Sequence, residues 1–141
     1  MVRACFMAIT IATAMTAAAC SSQPLVPSDI VGGTWQLSSI HENGSDLIRV
    51  VAPSRYTLQL QEAGHVAVTN DCNSCGGSYT LSGSSLTLSP MACTRAFCGD
   101  ASLDQSYSRA LEGAATVSVN GSEMTINGNG VTLVFTRAEA T

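Results

Sequence analysis

Lysine is absent from this chain of 141 residues, and its six basic residues are all arginines, scattered singly. No stripe of cations is available to neutralise a run of phosphates, so nucleic acid is not an expected partner. Charge of either sign is scarce, at 11% of residues, and no block of like charge occurs. There are two histidines, His41 and His65, and both fall where strands are expected, which reads as surface placement. No serine sits in a Gly-x-Ser-x-Gly elbow, and the acids spread from Asp29 to Glu139 assemble no nucleophile–base–orienter set. The expectation is a non-enzyme that takes no cofactor. Apolar runs long enough to cross a bilayer as a helix are also missing.

What is present begins with an export signal. Arg3 supplies a positive start, Ala4 to Met15 is apolar apart from Thr10 and Thr13, and Thr16-Ala17-Ala18-Ala19 offers only small side chains before Cys20. Small residues followed by cysteine resemble a lipobox, in which the thiol is lipidated and the chain is cut just before it. Ala17 stands where such boxes usually begin with leucine. Cysteine parity supports the same reading. Of six cysteines, Cys5 leaves with the signal, and lipid on Cys20 accounts for the odd one among the remaining five. The expected organisation is a signal peptide over 1–19, a lipidated tether over 20–29, one domain over 30–137 and a tail over 138–141. Pro24, Pro27 and a lack of periodicity mark the tether. The expected location is the cell envelope, anchored through Cys20. Ser21-Ser22 lacks the aspartate that commonly retains lipoproteins at an inner membrane, which points to the outer one if the host has two. Without Arg3 the formal net charge falls from −4 to −5.

From Gly33 onward, apolar and polar residues alternate in short runs. These are Thr34–Leu37, Tyr56–Leu60, His65–Val68, Tyr79–Leu81, Leu86–Leu88, Val117–Val119, Met124–Ile126 and Val131–Phe135. A period of two with β-branched residues is the mark of half-buried antiparallel strands. Gly64, Ser82-Gly83-Ser84, Asn120-Gly121 and Asn127-Gly128-Asn129-Gly130 supply turns, with a type I′ hairpin expected at Asn120-Gly121. The expected fold is mainly β, an antiparallel meander of about eight short strands, curled or barrel-like. One segment departs from this. Ser102-Leu103-Asp104-Gln105 has the order of a capping box, and Leu103, Tyr107, Ala110 and Leu111 share one helical face. A short helix is therefore expected there, packed on the sheet and ended by Gly113 in a left-handed turn.

The distinctive chemistry is Asp71-Cys72-Asn73-Ser74-Cys75-Gly76-Gly77 with Cys93-Thr94-Arg95-Ala96-Phe97-Cys98. Three readings compete. In an oxidising compartment clustered cysteines pair as structural staples. A Cys72–Cys98 bridge would stabilise by about 3.5 kcal/mol on the chain-entropy model, and a nested Cys75–Cys93 bridge would add less. Catalytic thiol exchange is disfavoured because Gly76-Gly77 and a strand follow Cys75, without the helix N-terminus that activates such thiolates. A four-thiolate metal site is disfavoured by export and by the lack of a nearby histidine. Asn73 is either a turn former or a buried amide serving the loop on both sides.

At these residues the chain resembles the META domain family of HslJ-like heat-shock lipoproteins. The resemblance rests on Gly33-Thr34-Trp35-Gln36-Leu37, on Cys72-Asn73 with Gly77-x-Tyr79, and on Leu86-Thr87-Leu88. It continues through Thr94-Arg95-Ala96-Phe97-Cys98, Leu111 and the closing Leu133-Val134-Phe135, spanning Ile30 to Arg137. It implies a compact antiparallel β domain with a small helix. It also implies Cys72 and Cys98 as the shared disulfide, leaving Cys75 and Cys93 as an additional one. Asp71 departs from the glycine that commonly precedes Cys-Asn, and Ala96 from the methionine that usually follows the arginine. The family has no assigned catalytic activity and is linked to heat stress, antibiotic tolerance, secretion or motility.

The expected function is a disulfide-braced, non-enzymatic envelope lipoprotein, active in envelope maintenance or stress-related binding. Thr94, Arg95 and Phe97 are its candidate contact residues, since rigid scaffolds present function on loops. The competing structural reading places Phe97 in the core and leaves Arg95 merely solvated. An alternative function is a protease-inhibitor-like module offering Arg95 from the braced Thr94–Phe97 loop. The ligand or protein partner is not specified by the sequence.

Overall fold

The computed structural model describes residues 27–139, so the signal, Cys20 and most of the tether lie outside the described residues. Alternation folds as the period of two requires. The strands are β1 (Trp35–Glu42), β2 (Ile48–Arg49), β3 (Tyr56–Leu60), β4 (His65–Asn70) and β5 (Asn73–Ser82). They continue with β6 (Ser85–Leu88), β7 (Ala92–Cys93), β8 (Gly113–Asn120), β9 (Glu123–Gly128) and β10 (Val131–Arg137). Two α-helices accompany them among the described residues, α1 (Pro27–Ile30) and α2 (Asp104–Leu111), with short 3-10 turns at Pro53–Arg55 and Glu62–Gly64.

Eight strands run in the order β10-β9-β8-β6-β5-β4-β3-β1, all antiparallel, and β10 pairs back onto β1 to close a barrel. β2 is an addition beside β1, and β7 is an addition beside β5. Closure removes the exposed edges that an open meander of this length would carry. Inward positions are mostly apolar: Trp35, Leu37, Leu58, Leu60, Leu86, Ile126, Leu133 and Phe135 are all buried, while Asn70 on β4 and Asn73 on β5 are buried polar exceptions. Their outward neighbours are mostly Thr, Ser, Gln and Asn, which explains the low charge. His41 and His65 lie exposed on β1 and β4.

Each barrel end has its own closure. At one end α1 seats Ile30 inside, and the Trp35 indole Nε1 donates to the Ile30 carbonyl at 3.0 Å. Arg137 stacks over the Trp35 ring at 4.4 Å and donates to the Asp29 carbonyl. Residues 27–29, read from sequence as tether, thus form a helical turn that begins at Pro27, a residue suited to the first turn of a helix. At the other end α2 buries Tyr107, Ala110 and Leu111 in the barrel mouth.

Two local expectations are corrected. Helix α2 begins one residue later than a capping box on Ser102 requires, with Leu103 at the cap position and no side-chain cap bond. The Ser102 hydroxyl accepts from Asp104 N–H at 3.3 Å, while the Leu103 N–H goes to the Tyr56 hydroxyl at 3.0 Å. A barrel side chain thus takes over a capping task. The β8–β9 hairpin turns on Gly121-Ser122, with positive φ at Gly121 alone, so it is not the Asn120-Gly121 type I′ turn. Positive φ at both turn residues, the type I′ signature, occurs instead at Asn129-Gly130 between β9 and β10. There the Asn129 amide donates to the carbonyls of Arg109 and Glu112 at 2.8 and 2.9 Å, satisfying the end of α2. Gly113 follows in the left-handed conformation at φ 71°.

Candidate functional site

The loop from Ser89 to Cys98 leaves the barrel wall beside α2, and three devices fix it. Cys72 is bonded to Cys98 and Cys75 to Cys93, the two pairs implied by the family resemblance. Strand β7 pairs Cys93 with Cys75 and Ala92 with Gly76, and Thr94 N–H reaches the Ser74 carbonyl at 3.0 Å.

The third device is Asn73, 7% exposed, and here the structure decides between the two sequence readings. Its Oδ1 accepts from the Ala96 N–H at 2.7 Å and from the Thr94 hydroxyl at 3.0 Å. Its Nδ2 donates to the Ala96 carbonyl at 3.0 Å. The amide is a clamp on the loop and not a turn former; it sits within β5. The Thr94 hydroxyl also accepts from Ser74 N–H at 3.0 Å, so Thr94 is spent on holding the loop.

Between Thr94 and Ala96 stands Arg95, exposed and without an ion-pair or hydrogen-bond partner among the described residues. Phe97 is 83% exposed and therefore outside the core. An apolar ring held in water on a rigid loop is a feature that core packing cannot explain.

Asp71 anchors the base of the same end. It adopts a left-handed φ of 61°, which accounts physically for the glycine common at this position in the family. Its carboxylate pairs with Arg55 and accepts from the Tyr56 hydroxyl at 3.1 Å. The hydroxyl of Ser102, with the Tyr56 hydroxyl and the Arg55 guanidinium, holds the carboxyl below its ordinary value against the opposing effect of burial. Tyr56 thereby links β3, the Asp71 turn and the start of α2 in one polar network.

A cleft of about 770 Å³ opens between this loop and α2, lined among others by Asn70, Leu88, Met91, Arg95, Ser108 and Glu112. That volume lies in the range of small-ligand sites, and barrel mouths are a common place for them. Asn70 donates to the Asp104 carbonyl at 3.0 Å and to the Ser108 hydroxyl at 2.8 Å. Its Oδ1 is buried and has no hydrogen-bond donor among the described residues. No cluster of metal-ligating side chains occurs among the described residues. Sequence reasoning reached the loop through its cysteines, but it missed the cleft, Asn70 and the Tyr56–Asp71 pair. These contacts join residues far apart in sequence, and no local signal marks them.

The comparisons with known proteins agree with this architecture. A protein from Burkholderia xenovorans, solved by NMR, superposes with a TM-score of 0.66 at 23% identity, over 92% of this chain and 100% of its own. A lipocalin-like protein from Bacteroides uniformis superposes with a TM-score of 0.55 at 15% identity, over 78% of this chain and 99% of its own. At these identities the likeness is one of fold. No curated protein matches the sequence. The family model of the META domain matches residues 28–140, and the chain belongs to the META domain family.

Proposed function

We propose that this protein is a non-enzymatic lipoprotein of the cell envelope, held at the membrane by lipid on Cys20, whose barrel serves as a binding module in envelope maintenance or stress. The contact surface is the end of the barrel that carries Arg95, Phe97 and the adjoining cleft. One observation carries this reading. Two disulfides and the Asn73 clamp immobilise a loop whose two large side chains, Arg95 and Phe97, remain exposed. Ordering a loop before binding removes that entropy cost from the association step. Site-specific photocrosslinking in the native envelope tests it. A photoreactive residue at Phe97 is expected to give a discrete adduct that Arg95→Ala diminishes. The same residue at Val51, which is 99% exposed, is expected to give none. Equal adducts at both positions, or none at Phe97, would contradict the assignment.

The protease-inhibitor-like reading also keeps a specific support, because Asn73 props both residues that flank Arg95. Inhibition of a trypsin-like protease by wild type and not by Arg95→Ala would favour it. Equal and negligible inhibition by both removes it.

A further inference from the structure

We propose that the outer edge of β7 accepts an extended peptide as an added strand, lying in the cleft antiparallel to β7. This deepens the binding role proposed above for the same end of the barrel. The argument starts from register. Thr94 directs its N–H at Ser74 of β5, so the alternation of an antiparallel ladder turns the N–H and C=O groups of Cys93 and Arg95 the other way. Among the described residues, β7 pairs with β5 alone. Its other edge is short, the outward backbone groups of Cys93 and of Arg95 just beyond the strand, and both residues border the cleft.

The gap has the place of a missing strand. β6 continues toward β7, since Ser89 N–H still reaches the Ser78 carbonyl of β5 at 2.9 Å. β8 covers β6 only as far as the Leu88–Gly113 pair. Upstream of Gly113 the chain has turned into α2, so nothing continues β8 alongside β7. A peptide in line with β8 would fill that position, with alternate side chains facing Leu88, Met91 and Leu111.

The line of β8 sets the direction, and charge then sets the chemistry of the occupant. An antiparallel partner of β7 begins beside Arg95 and ends beside Glu112, just before the first residue of β8. The favoured peptide therefore carries an acid at its start, β-branched residues in its middle and a base at its end. Backbone N–H groups also supply the kind of donor that the buried Asn70 Oδ1 lacks.

The test uses isotope-labelled chain with both disulfides intact. The probe is a capped heptapeptide that begins with glutamate, alternates valine and threonine, and ends with lysine. Two N-methylated versions block alternate backbone N–H groups in the two possible phases. Binding is expected to shift amide resonances of residues 88–97 and 108–113, with one phase of methylation weakening it at least about tenfold and the other retaining it. Arg95→Glu is expected to weaken binding roughly fivefold, the size of one exposed ion pair, and a probe beginning with lysine to recover it. Equal binding by both methylated probes would overturn strand addition, as would shifts confined to other residues or no shift at millimolar probe. None of these results alters the crosslinking outcome at Phe97, so failure here is distinguishable from failure of the binding role itself.

Discussion

A single buried amide, Asn73, holds the candidate loop through both Thr94 and Ala96. It satisfies both backbone groups of Ala96 from a buried position, so its removal leaves an N–H and a carbonyl without partners. Asn73→Ala is expected to destabilise the fold by about 1–3 kcal/mol, read as a lower urea midpoint with both disulfides intact. Asp71 makes a prediction of the opposite character, about pH. Its folded pKa lies below the ordinary 3.8, so the stability it supplies is complete above that value. That stability is lost as pH falls through the lower folded value. Urea midpoints measured from neutral pH downward should fall more steeply below about pH 4 in wild type than in Asp71→Asn, because only the first titrates. The sequence offered the Asn73 role only as one of two readings, and the Asp71 role not at all. Asn73 and Asp71 are both common turn residues, and only the fold brings Ala96 and Tyr56 to them.

At the scale of elements, the eight strands of the barrel were legible because each alternates apolar and polar residues between turn formers. β7 and the first half of β5 were not. Asn73-Ser74-Cys75-Gly76 is built from turn residues, and its strand character comes from pairing with β4 and β7. The Ser102 capping box failed because Tyr56, from β3, already meets the helix start. Two tyrosines at this junction should respond oppositely to loss of the hydroxyl. Tyr56→Phe strips partners from Leu103 N–H and Asp71 and is expected to cost about 1–3 kcal/mol. The Tyr107 hydroxyl is buried with no partner among the described residues, and burial raises its pKa well above the usual tyrosine value. Tyr107→Phe is therefore expected to leave the urea midpoint unchanged or higher. Docking of α2 also depends on Gly128, where a Cβ would lie 2.5 Å from the Ala110 carbonyl oxygen. Gly128→Ala should cost about 1–3 kcal/mol, and exchange of the α2 amides should report the displaced helix.

The whole molecule combines a barrel closed at both ends with a loop that is held rigid and left in water. Barrel closure and the α2 plug are pairings between distant segments, and alternation alone could suggest them without fixing them. The export signal and the lipid on Cys20 belong to the sequence argument, where cysteine parity ties them to the two bridges. Those bridges occur in the structure and use four of the five cysteines of the expected mature chain. The most direct test is the intact mass of the protein purified from its native membrane, before and after reduction. The account predicts a chain that begins at a lipidated Cys20 and gains four hydrogens as both bridges open. An unlipidated chain, or a mass that reduction leaves unchanged, would contradict it.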